Sequence, residues 1–160
     1  FEPAFISIPV SILIALVLYI NEFPDYVADR DANKLTFVVR LGRKLAAKGY
    51  ALAMSGVYVS IVLMVYLNLI RLESLIALAT LPLGVLGILT TLRHYDESRK
   101  LAPANWSTIV SQLFTGIFLT IGYVFHGFSI AREITLAIGI ILFVIVLLMA
   151  RKLGRPPEGN

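Results

Sequence analysis

PAFISIPVSILIALVLYIN, residues 3–21, runs for 19 positions without a charged side chain. At ~1.5 Å per residue such a helix nearly spans the ~30 Å hydrocarbon core of a bilayer. Four further uncharged runs follow at residues 49–70, 74–92, 101–131 and 134–150, of 22, 19, 31 and 17 residues, and the 24 charged residues are confined to the clusters between them. Backbone polar groups find no water in hydrocarbon, so runs of this kind cross it as helices. The pattern predicts an all-α, polytopic transmembrane helix bundle with about five spans, at roughly 3–21, 49–70, 74–92, 107–127 and 134–150.

Composition agrees. Of 160 residues, 58% are hydrophobic and 15% charged, against about 45–50% and about 25% in soluble domains; the mean hydropathy is +0.85. A soluble globule and a disordered tail are excluded, and the absence of cysteine excludes a disulfide scaffold. A net charge of +4 would suggest nucleic acid in a soluble protein, but here the basic residues flank apolar runs and report topology instead. With five spans, residues 22–48, 93–100 and 151–160 share one side and carry 12 of the 14 Lys and Arg residues, leaving Arg71 and Arg132 for the other. The basic side is expected to be cytoplasmic, giving an integral protein of the plasma or inner membrane with residues 21–48 and the C-terminal tail inside. The chain begins with Phe1 and has neither the basic start nor the small-residue cleavage site of a signal peptide, so it is expected to be part of a larger protein.

Most other features read as adaptation to lipid. Tyr19, Phe23, Tyr26, Tyr50, Tyr95 and Trp106 lie near expected span ends, where amphipathic rings favour the headgroup level. Thr80, Gly84 and Gly87 in the third span, and Ser55 with Gly56 in the second, offer close helix contact. Pro82 is expected to kink the third span. Pro103 with Asn105 or Ser107 as N-cap is expected to begin the fourth. Asn68 and Gln112 are expected to hydrogen-bond between helices. His94 and His126 have no partner at metal-ligand spacing.

The segment NEFPDYVADRDANKLTFVVRLGRKLAAK, residues 21–48, differs, holding 10 of the 24 charges. Asn21, Asp25 and Asp29 are four apart, so on a helix leaving the first span they line one face, with Asp31 pointing elsewhere. Pro24 is expected to disturb the helix where it leaves the bilayer. Oxygen ligands without nearby histidine or cysteine favour a hard cation, and two carboxylates with positions left for phosphate oxygens suit Mg²⁺ better than a closed Ca²⁺ cage. Lys34, Arg40 and Arg43 follow within reach, as a diphosphate leaving group requires. A solvated loop, with Arg30 or Lys34 neutralising the aspartates, is the competing reading of the same residues.

Asn21, Pro24, Asp25, Asp29, Lys34, Thr36 and the run Val39, Arg40, Leu41, Gly42, Arg43 resemble the second aspartate-rich motif of the UbiA family of intramembrane prenyltransferases. Lys-x-Thr-x-x-Val-Arg-Leu-Gly after Asp-x-x-x-Asp looks most like the branch that includes 1,4-dihydroxy-2-naphthoate polyprenyltransferases of menaquinone biosynthesis. The resemblance implies a helical bundle in which Mg²⁺ holds an isoprenyl diphosphate at the cytoplasmic end, its prenyl tail between helices, for attack by an aromatic acceptor. It implies Asp25 and Asp29 as Mg²⁺ ligands, Lys34 and Arg40 as diphosphate contacts, and Asn21 in support.

The family's earlier motif, Asn-Asp-x-x-Asp-x-x-x-Asp, does not occur in this sequence, and the spans are fewer than the family's bundle. On the resemblance, residues 1–160 are therefore expected to be the C-terminal part of such a domain. That part is expected to be inactive alone, with the first motif in a missing N-terminal half and no catalytic base assignable. Two other readings stand beside the enzyme: a non-catalytic remnant or assembly subunit of the same fold, and a cation transport or channel subunit. The latter predicts ionisable residues inside the spans, and the uncharged runs offer none.

Overall fold

Helix α1 runs unbroken from Glu2 to Asp31, with Pro9 and Pro24 inside it. It opens a computed structural model that describes residues 2–125 and, beyond them, positions 137, 140, 141, 143, 144, 147 and 148, each helical. Pro24 removes one backbone N–H from the ladder, yet the helix does not end there. The first third of the charged segment is thus helix rather than loop, and its aspartates are displayed at helical spacing.

After a short reversal the chain forms α2, Phe37–Leu41, capped by the Thr36 hydroxyl, which accepts from the N–H of Val39 at 3.4 Å. Glu22 of α1 reaches across to accept from the N–H of Val38 at 3.0 Å, satisfying a second free donor of that first turn. Gly42, at φ 74° and ψ 147°, then separates α2 from α3, Arg43–Tyr66. That backbone region is essentially closed to residues with a Cβ, which explains the glycine.

The third span is composite. A 3₁₀ stretch, Leu72–Thr80, leads into α4, Leu81–His94, with Pro82 in the first turn of α4. Pro82 is therefore tolerated where its missing N–H costs nothing, and the irregularity expected at that residue lies in the preceding turns. The fourth span begins with a 3₁₀ turn, Ser98–Leu101, and continues as α5, Ala102–Phe125. Neither Asn105 nor Ser107 caps it: both lie inside the helix, where the Ser107 hydroxyl donates back to the carbonyl of Ala104 at 3.0 Å.

Four segments, Glu2–Asp31, Arg43–Tyr66, Leu72–His94 and Ser98–Val124, are long and apolar enough to cross a membrane. The expected fifth, 134–150, and with it His126, lies outside the described residues apart from the seven helical positions named above. The guanidinium of Arg43 donates to the carbonyl of Asp96 at 3.5 Å, joining the α2–α3 region to the turn after α4. Glu2 pairs with Arg71 at 3.2 Å at the other end. The alternation read from the basic residues therefore holds through these four spans.

Inside the bundle, Leu13, Leu16, Ile20 and Phe23 of α1 pack with Ala47, Tyr50, Met54, Val57 and Ile61 of α3, each set spaced three or four apart. Lipid offers no hydrophobic drive for such contacts, so close packing and hydrogen bonds decide them. A Cβ on Gly84 would lie 2.4 Å from the ring of Tyr58, and one on Gly87 would lie 2.6 Å from the hydroxyl of Tyr50. These glycines let α4 approach α3. Tyr50 shares a 2.6 Å hydrogen bond with Thr108, and Tyr58 donates to the carbonyl of Thr80, whose hydroxyl meets that of Thr115 at 2.8 Å. Thr108 already donates to Ala104, so Tyr50 is the donor in its pair.

Three expectations are corrected by this packing. Phe23 and Tyr50 are wholly buried and are core side chains rather than headgroup anchors. Ser55 and Gly56 are exposed, with nothing within 4 Å of a Cβ on Gly56, so they make no close helix contact among the described residues. Asn68 lies exposed in the turn after α3 at φ 55°, a left-handed position that asparagine tolerates, and not inside a span.

Candidate functional site

The last three turns of α1 carry Asn21, Asp25 and Asp29, and each meets a different fate. Asn21 accepts a short hydrogen bond from the side-chain amide of Asn105, which fastens α1 to α5 across 84 positions of sequence. Asp25 is exposed. Asp29 is buried, with 8% of its surface accessible.

Beyond Asp31 the chain turns back on itself. Asn33 takes φ 54°, and the N–H of Lys34 donates to the carbonyl of Asp29 at 2.7 Å. The reversal lays the Lys34 side chain over the aspartate, with Nζ 3.1 Å from Oδ1. The other oxygen, Oδ2, is buried and has no hydrogen-bond partner among the described residues. A buried carboxylate oxygen without a donor is costly, and such an atom in a native fold calls for a ligand or water. Asp31 is exposed and faces Arg30 at 3.9 Å, away from this pair.

Of the residues singled out from the sequence, the structure brings Asp29 and Lys34 together and keeps Asp25 open one turn earlier on the same helix. Asn21 is engaged with Asn105. Arg40 stands exposed in the last turn of α2 and pairs with neither aspartate. Arg43, the first residue of α3, stacks on the ring of Tyr26 with its guanidinium carbon 4.6 Å from the centroid.

Glu22 and Asn105 were not legible as site residues. Glu22 lies within the motif, yet only the folded position of α2 shows that its carboxylate supports the N-terminus of that helix. Asn105 reads as a helix start by local rules. At the α4–α5 connection, Glu97 binds Lys100 at 2.6 Å and His94 at 3.2 Å. The Lys100 ammonium, then His94, hold its carboxyl below the usual glutamate range.

No group of three or more His, Cys, Asp and Glu residues converges among the described residues. What the site offers is a pair of carboxylates, one open and one buried with a free oxygen, with Lys34 on the buried one. Such a set leaves most positions of a hard cation to water and phosphate oxygens.

Residues 1–111 match the family model described as the UbiA prenyltransferase family. Among curated proteins, the chain is similar to a 2-carboxy-1,4-naphthoquinone phytyltransferase from Synechocystis sp., 25% identical over 121 residues, which are 76% of this chain and 39% of that protein. The match thus covers less than half the length of that relative. No solved structure matches it.

Proposed function

This chain belongs to the UbiA prenyltransferase family, and from that premise we propose that it supplies part of the diphosphate-binding end of a Mg²⁺-dependent membrane prenyltransferase. The reaction moves a polyprenyl group from an isoprenyl diphosphate to an aromatic quinone precursor. The allylic carbon–oxygen bond breaks with its electron pair leaving on the diphosphate, a ring carbon of the acceptor forms the new carbon–carbon bond, and the ring loses a proton. The Synechocystis relative's name, with its carboxylated naphthoquinone and phytyl group, supports an acceptor of the naphthoquinone class.

The observation that carries this reading is the carboxylate of Asp29, buried with Oδ2 unpartnered and Oδ1 on Lys34. An oxygen held out of water and left free fits a cation ligand, and exposed Asp25 one turn away fits a second, so the residues present suit Mg²⁺. When bound there, the ion would offset charge building on the diphosphate as the bond breaks. The chain's own groups do the rest. Lys34, whose side chain is 66% exposed, is free to turn its ammonium toward phosphate oxygens, and Arg40 presents a fork of donors that matches them. The Asn21–Asn105 clasp fixes α1 against α5, and the bond from Val38 to Glu22 fixes α2, so that carboxylates and cations keep one geometry.

Membranes containing the full-length protein, supplied with a panel of prenyl diphosphates and naphthoate- and benzoate-type acceptors, should form prenylated product with Mg²⁺ and lose it with chelator. Absence of product throughout the panel, in membranes shown to hold folded protein, would overturn the reading.

A further inference from the structure

A second feature at the same end of the bundle is not used by the proposed reaction. A pocket of about 490 Å³ lies between α1, the α2–α3 junction and the turn after α4. Its rim carries Arg43, Lys44 and Lys48 against one carboxylate, that of Asp96. None of the three cations forms a salt bridge among the described residues, and Nε of Arg43 is buried without a partner. Lys44 and Lys48, exposed and without a carboxylate partner among the described residues, face the same space as Arg43, whose guanidinium is held by the Asp96 carbonyl and the Tyr26 ring. The three together create a positive potential that an anion relieves. From α1 the pocket takes Tyr26, and neither Asp25 nor Asp29 lines it. It therefore lacks the carboxylates that would hold a metal for a diphosphate.

The walls say which anion fits. Leu41 and Leu45 line the pocket and are themselves exposed, at 44% and 54%. From Leu45 an apolar strip continues along the outer face of α3 through Leu52 and Val59, each about two helical turns beyond the last and each exposed. Gly56 leaves a shallow place on that strip, with nothing within 4 Å of where a Cβ would stand. Basic groups at the end of a span, tyrosines beside them, and an open apolar track descending from them match the headgroup, interface and acyl chain of a lipid.

We infer that this pocket is a headgroup site for an anionic phospholipid, with the phosphate on Arg43, Lys44 and Lys48 and an acyl chain along the Leu45–Leu52–Val59 face of α3. A prenyl diphosphate shares this chemistry, a phosphate ester with an apolar tail, and the test separates the two.

Full-length protein purified in a neutral detergent without Mg²⁺ is titrated with short-chain phosphatidylglycerol or phosphatidylcholine. Binding is read by native mass spectrometry and by the shift in thermal unfolding. Phosphatidylglycerol should bind and stabilise, and phosphatidylcholine should do neither. Lys44 and Lys48 are exposed, so K44Q/K48Q is expected to fold; at about fivefold per lysine it should weaken phosphatidylglycerol binding about 25-fold. D25N/D29N should leave that binding unchanged. Equal response to the two lipids, full affinity in K44Q/K48Q, or displacement of phosphatidylglycerol by an equimolar prenyl diphosphate would overturn the assignment.

Discussion

Nζ of Lys34 lies 3.1 Å from Oδ1 of Asp29, while Oδ2 of the same carboxylate is buried with no partner. The lysine supplies the positive charge that a buried carboxylate requires, and the free oxygen keeps room for another. The arrangement gives the two aspartates unequal parts: Asp29 is held ready by the protein, whereas Asp25 stands in solvent.

In full-length protein, Asp29→Asn and Asp25→Asn should each lower prenyl transfer by about 100-fold or more, since on the proposed reading each removes a charged oxygen from the shell of the Mg²⁺ that would offset the leaving diphosphate. Raising Mg²⁺ should restore part of the loss. Asp31→Asn, at an exposed carboxylate that faces Arg30, should change activity less than about threefold. Similar activities for all three, in membranes with equal folded protein, would mean the aspartates are only a solvated charge run.

On the proposed reading, Lys34→Gln removes a point charge that the leaving group would meet, and it removes the partner of Asp29 Oδ1. The expected result is a KM for prenyl diphosphate raised about tenfold with kcat changed less, because the contact is made with bound substrate before the bond breaks. An unchanged KM would place Lys34 in a purely structural pair.

Gly84→Ala would force a methyl to within 2.4 Å of the Tyr58 ring, whereas the same change at Gly56 meets nothing within 4 Å. The first should destabilise by about 1–3 kcal/mol and the second should be close to neutral, as read by thermal unfolding in detergent. Equal effects would contradict the α3–α4 packing.

For orientation, the native chain has no cysteine to interfere with labelling. Asn33 holds φ 54°, which a cysteine would strain, so the probe belongs at Ala32, which is exposed. The excess of basic residues at that end predicts a cytoplasmic Ala32→Cys, protected from impermeant reagent in intact cells and labelled after lysis. Labelling in intact cells would reverse the topology.

Glu97 should titrate below an ordinary glutamate, and by carbon NMR its midpoint should rise more in Lys100→Gln than in His94→Gln, because the ammonium is the larger cause. A carboxyl lowered in the fold adds its tie above the ordinary range and loses it as pH falls through the lowered value. The turn after α4 should therefore loosen only in acid. A larger shift in the histidine variant would contradict this order.

Span positions were legible because charge is so costly in hydrocarbon that its absence marks them. The i, i+4 register of Asp25 and Asp29 was legible because the helix continues past Pro24. Local rules failed where a distant partner decided the outcome. Asn105 looks like a helix cap by its neighbours, but Asn21 claims its side chain. Tyr50 sits at the edge of an apolar run and reads as a headgroup anchor, yet Gly87 and Thr108 make a slot for it. The pairing of Lys34 with Asp29 depends on a left-handed Asn33, and nothing in the residue spacing announces that reversal.

Helix α1, at 30 residues, is about 45 Å long, roughly 15 Å more than the hydrocarbon it crosses. Since Asp25 and Asp29 ride on the same rod as the lipid-facing turns, their height above the bilayer is set by how much of that rod the membrane swallows. The helix behaves as a dipstick. A bilayer thicker than the apolar run has to thin around it or draw the charged end toward the headgroups, so the cost of holding that end at its level is tied to the lipid composition around it.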